Sequence, residues 1–124
     1  MTVLFVALGG GAGAILRYLT DLRMRAWRGD AFPWGTLTVN ITGSAILGFL
    51  TGWALHGGEP DTVRSLLAVG VCGGLTTFST FGYETLRLIT EKARPRAVLN
   101  VGLTVVAGLA AATAGLLLAA VVWA

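Results

Sequence analysis

The run Gly73-Gly74-Leu75-Thr76-Thr77-Phe78-Ser79-Thr80-Phe81 puts a glycine pair, four hydroxyls and two phenylalanines inside a stretch apolar enough to cross a membrane. A lipid-facing helix has no ordinary use for that set. Hydroxyls offer donors where no water reaches, and Phe78 and Phe81, three residues apart, share one helical face. A phenyl ring is electronegative on its face and electropositive along its edge. Ring edges and the hydroxyls of Ser79 and Thr80 can therefore alternate along a narrow route suited to a small, strongly hydrogen-bonding anion. Gly73-Gly74 can break the helix, and a helix broken at membrane depth turns carbonyls out at one half-end and amides at the other. Freed carbonyls favour a cation, whereas freed amides and hydroxyls favour an anion. The residues alone leave both open.

Other polar residues stand where lipid would penalise them. Asn40 lies about six residues into an apolar stretch, so its amide must face inward, either bonding a neighbouring helix or lining a wet cavity. Arg17 closes the first apolar stretch, where it either snorkels to the headgroups or supplies positive potential to a vestibule. Glu84 follows Phe81 by three residues on the same helical side, and Thr104 sits mid-way along the last apolar stretch. For either of these taken singly, capping or packing is the simpler role. His56, next to Gly57-Gly58, reads as interfacial, and the single Cys72 excludes an intrachain disulfide. Gly9-Gly10-Gly11-Ala12-Gly13-Ala14 spells G-x-G-x-x-A, with Asp30 about 20 residues on, as in a dinucleotide fold. Its context excludes that reading, because Met24 to Gly29 is polar and no alternation of strands and helices follows.

The elements that must position these residues are four apolar stretches, 3–19, 34–55, 65–89 and 97–123, each near the roughly 20 residues of a spanning helix. With 124 residues, 55% of them hydrophobic and 12% charged, and a mean hydropathy of +0.77, the chain belongs to the membrane class and forms one domain, 1–124. The 3–19 stretch lacks a basic leader and a cleavage site, so it is expected to be retained. Trp27, Trp34, Trp53 and Trp123 fall near span ends, as an interfacial belt would have them. Gly9 and Gly13, Gly48 and Gly52, and Gly70 and Gly74 form G-x-x-x-G pairs at which backbones can approach. The net charge of +3 lies in linkers and not on one amphipathic face, which argues against nucleic acid. Arg23, Arg25, Arg28, Arg87, Lys92, Arg94 and Arg96 share one side, against Arg64 alone on the other. Positive charge stays inside, so both termini are expected outside.

Three segments in order carry a family resemblance: Gly10 to Tyr18, a glycine-rich helix ending in Arg-Tyr; Gly35 to Gly43, a Gly-Thr-Leu-x-Val-Asn-x-x-Gly; and Cys72 to Phe81. Over its whole length the chain resembles the bacterial fluoride channels of the Fluc or CrcB family. The resemblance implies an all-α membrane protein with four transmembrane helices per subunit, the third broken, in an antiparallel dimer with two fluoride pores in the bacterial cell membrane. It implies a structural sodium ion, not transported, held at the dimer interface by backbone carbonyls of Gly73 and Thr76 from both subunits. Phe78 and Phe81 would form an aromatic box with Ser79 and Thr80 in the polar track, Asn40 facing the pore, Arg17 near the vestibule and Glu84 matching the acid after the box. Family members tend to carry two hydroxyls a turn apart on the fourth helix; here Thr104 is followed by Gly108, with Thr113 as a substitute in another register. The biased linker charge adds that the second subunit is either another copy or an oppositely oriented paralogue.

The expected function is passive export of fluoride, which enters cells as the neutral acid and is trapped as the anion. An inside-negative potential favours anion exit by about 2.3 kcal/mol per 100 mV, so no ATP site is needed. A small proton-coupled multidrug transporter is the alternative, but it requires an acid in the first span, which holds Arg17 and no Asp or Glu. A non-transporting membrane assembly factor is a third reading. No Ser-His-Asp set, metal-spaced His and Cys, or carboxylate pair lies in the spans, which argues against an enzyme.

Overall fold

The computed structural model describes residues 2–29, 32–76 and 79–123, less the side chain of Ser79, and all of its regular structure is helical. Helix α1 spans Thr2–Arg28 and α2 Trp34–Leu55. The third span is composite: α3 (Asp61–Val63), a π-helical segment (Arg64–Val71), α4 (Cys72–Leu75) and α5 (Ser79–Thr90). Helix α6 closes the chain at Arg94–Val122. Four helical stretches of 27, 22, 30 and 29 residues are thus long and apolar enough to cross a membrane.

Helix α1 outruns the span expected to end at Leu19 by about two turns. Asp21 and Arg25, one turn apart, hold an ion pair at 3.0 Å that carries the helix through what reads as a linker. It stops at Gly29, whose φ of +76° is the left-handed conformation that ends helices, with its N–H on the Arg25 carbonyl at 2.8 Å. At the start of α6, Pro95 sits in the first turn, where the N–H it lacks would have had no helical partner.

Two glycine seams join the helices in parallel pairs. Gly9 and Gly13 of α1 meet the third span so closely that a methyl group on Gly70 would stand 2.9 Å from the Gly9 Cα, and one on Gly13 would strike the Val71 carbonyl. Gly48 and Gly52 of α2 pack in the same way on Ala112 and Ala119 of α6, and Gly115 returns the contact to Ala45. In lipid there is little hydrophobic drive between helices, so this backbone approach and the dispersion it permits hold them together. The outer surfaces are apolar: only 11% of the most apolar windows of α1 and α6 is buried inside the chain.

In the third span the sequence suggests that Gly73-Gly74 breaks the helix. Both lie inside α4, which runs to Leu75. Gly74 is there for proximity, since a methyl on it would collide with the Gly10 carbonyl, whereas Gly73 is exposed and has nothing near it. The departure from helical geometry comes at Thr76, which is extended (φ −82°, ψ 154°), and helix resumes at Ser79. Thr77 and Phe78 lie outside the described residues.

Candidate functional site

Thr76 is fixed by its own helix end. Its N–H and its Oγ1 both donate to the Cys72 carbonyl, at 2.9 and 2.8 Å, and its methyl fills the space that any side chain on Gly43 would need. A glycine at 43 therefore lets α2 press against the point where the third span leaves helical geometry. From there α5 carries Phe81 back toward α2 and α6, and a cavity of about 640 Å³ opens between them. Asn40, Ser44, Cys72, Gly73, Thr76, Phe81, Thr104 and Gly108 line it, among apolar neighbours.

Five residues singled out in the sequence, Asn40, Gly73, Thr76, Phe81 and Thr104, thus share one cavity although they come from α2, the third span and α6. Thr80 is partly buried and is not among the residues that line the cavity. Phe78 and the side chain of Ser79 are outside the described residues. Arg17, half-buried on α1, and Glu84, buried on α5, do not line this cavity.

Glu84 belongs to a separate charged cluster at the end where α1 and α5 finish. Its Oε2 accepts from Arg87 Nε at 3.0 Å and pairs with Arg87 Nη2 at 2.9 Å, and its Oε1 faces Arg25 Nη2 at 3.8 Å. Arg25 also holds Asp21 at 3.0 Å, and Arg87 reaches Glu91 at 3.8 Å. Asp21, expected in a linker, is therefore an α1 residue, and its charge is neutralised by Arg25 at the polar end of the helix. A smaller cavity of about 140 Å³ lies beside the cluster, between Arg25, Arg87 and Trp34.

Sequence reasoning missed two residues behind Phe81. Asn100 of α6, 1% exposed, donates from Nδ2 to Thr85 Oγ1 at 2.9 Å, and that hydroxyl donates to the Phe81 carbonyl at 2.9 Å. The chain of bonds couples α6 to the turn that presents Phe81. The signal was available, because an amide in a long apolar helix must find partners. Asn100 Oδ1 has no hydrogen-bond partner among the described residues. Ser44, to which the sequence alone assigns no role, lies one turn beyond Asn40 on the same face of α2. Thr113, the suggested substitute on α6, is exposed and does not line the cavity.

The sequence of the chain has counterparts among known proteins. Residues 4–116 match the family model described as CrcB-like protein, Camphor Resistance (CrcB). The chain belongs to the CrcB family. It is 50% identical to the fluoride-specific ion channel FluC 1 of Streptomyces avermitilis, over 100% of both chains. Identity to the protein of the same name in Frankia casuarinae is 47%, over 99% of each. With that of Thermobifida fusca it is 43%, over 99% of this chain and 98% of the relative. Four apolar helices and this CrcB membership make it a multi-pass membrane protein.

Proposed function

We propose that the chain is a fluoride channel of the bacterial plasma membrane that passively lets the anion leave the cytoplasm. The observation that carries the reading is the meeting of Asn40, Thr76, Phe81 and Thr104 in one cavity of a CrcB-family chain. Fluoride keeps its hydration tightly, so a pore must replace that water with donors. Asn40 Nδ2, the Thr104 hydroxyl and the hydroxyls of Ser79 and Thr80 supply them, and the ring edges of Phe81 and Phe78 add positive partial charge without a competing counter-ion. Arg17 draws anions to the vestibule, and the acid Glu84, neutralised by Arg87 and Arg25, leaves that end of the route without net negative charge. No bond is made or broken, so no catalytic group is required.

The working unit in this reading is an antiparallel dimer whose third spans meet at the break between Leu75 and Ser79. The exposed face at Gly73 and the thinly covered α1 and α6 support a second subunit there. A structural sodium ion fits this face. Among the described residues no group of three His, Cys, Asp or Glu could hold a metal, and the carbonyl-rich C-terminal end of α4 offers neutral, hard oxygens instead. Gly73 and Thr76 carbonyls from each subunit would hold the ion and pin the two breaks together. Because seven basic residues share one side, the partner is either a second copy inserted the other way or a paralogue of opposite bias.

The test is fluoride efflux from liposomes holding purified protein. Wild-type protein releases fluoride and not chloride, and Phe81→Ile or Phe78→Ile slows release by at least about tenfold, the loss of an interaction of about 1.4 kcal/mol with the ion. Efflux untouched by both substitutions removes the aromatic residues from the mechanism. Efflux that appears only with a paralogue establishes the paired form.

A further inference from the structure

The polar route has a gap on α6, and α2 fills it. One turn after Thr104 the helix carries Gly108, so α6 offers the cavity no hydroxyl there, and its neighbours Val105, Leu109 and Ala112 are apolar. Ser44 faces the gap: a methyl group on Gly108 would stand 3.6 Å from Ser44 Oγ, in ordinary contact. Ser44 is half-buried, lines the cavity, and follows Asn40 by one turn. Its hydroxyl also has no hydrogen-bond partner among the described residues. Thr38, Thr76 and Thr85 each donate to the carbonyl four residues before them, at 2.7, 2.8 and 2.9 Å. Ser44 and Thr104 have no such bond among the described residues, so their hydroxyls remain available to a passing ion.

We propose that Ser44 is a specificity-determining residue of the pore, its hydroxyl donating to the permeating anion at the level of Gly108. This rests on the fluoride-channel reading. The route then runs along Asn40 and Ser44 on α2 opposite Thr104 on α6, a ladder in which the missing hydroxyl of one helix is supplied by the other. Gly108 leaves Ser44 Oγ open on that side, whereas a side chain there would come into contact with it.

The experiment follows fluoride efflux in the subunit arrangement in which the wild-type chain conducts, with Ser44→Ala, Ser44→Thr, Thr113→Val and the double variant Ser44→Ala/Gly108→Ser. Ser44→Ala is expected to slow efflux about tenfold, the loss of one hydrogen bond to an ion. Ser44→Thr keeps the hydroxyl and most of the rate. The double variant moves the hydroxyl to α6, and recovery of efflux above Ser44→Ala is expected. Elution volume and thermal unfolding of each purified variant show that the bundle is intact. An intact Ser44→Ala that conducts like wild type and Thr113→Val overturns the proposal, as does a double variant no faster than Ser44→Ala. A wild-type chain that conducts fluoride in no arrangement overturns the channel reading itself, and this proposal with it.

Discussion

Phe81 is held from behind as well as in front. On one side its ring lines the cavity; on the other, the Asn100–Thr85 pair ties its carbonyl to α6. Asn100→Ala removes that support and leaves the Thr85 hydroxyl without its donor, at a cost of about 1–3 kcal/mol. Thermal unfolding in detergent should fall accordingly, with efflux reduced by more than the unfolded fraction explains. Unchanged efflux in a destabilised but folded variant would make the pair a packing device alone. Glu84 belongs to the same scale. Glu84→Gln keeps the shape but takes the charge from Arg87 and Arg25, so α1 and α5 should separate more easily at their ends. A lowered unfolding temperature that is insensitive to fluoride is the expected result. Phe81, which lines the cavity, stood out in the sequence because phenylalanines among hydroxyls are misplaced in a lipid-facing helix. Asn100 and Ser44 were harder to read: each is one polar residue among apolar ones, and its meaning depends on which helix lies opposite.

Among the elements, the glycines divide by what they touch. Those in the α1 seam cannot change: Gly9→Val would drive a branched side chain into the backbone of the third span, and folded protein should be lost from membranes. Gly11 and Gly102, with nothing within 4 Å, should accept alanine without loss, and each gains a better helix former by about 0.5–1 kcal/mol. Yield and monodispersity of the three variants check the division. The four spans were visible from hydropathy, and the Gly9, Gly48 and Gly70 pairs from spacing. Two features were not. The helical continuation from Thr20 to Arg28 reads as a polar linker, yet Leu22, Arg23, Met24, Arg25 and Ala26 are good helix formers, and the pairing of Asp21 with Arg25 adds to them. The departure from helix was expected at the glycines, which have the weakest propensity, but it falls at Thr76, where the side chain caps α4 and Gly43 leaves it room. Tertiary fit overrode local preference there.

For the whole molecule, charge and exposed surface together define its setting. Arg23, Arg25 and Arg28 lie at the end of α1 and Arg87 near that of α5, so the basic residues collect at one end of the bundle although several are paired with acids. Basic residues set orientation even when acids accompany them. Cysteine accessibility at the two ends of the molecule should therefore show one dominant orientation, and equal labelling from both sides would remove the need for a paralogue. At the opposite end Trp53 and Trp123 stack with ring centroids 5.0 Å apart and 9° between their planes, with Phe49 beside them at 5.2 Å. Two indoles so close and so nearly parallel share their electronic excitations. The α2–α6 pair consequently carries its own optical gauge: an exciton couplet in circular dichroism that Trp53→Phe abolishes, and that fades as the two helices part during unfolding, with no dye attached.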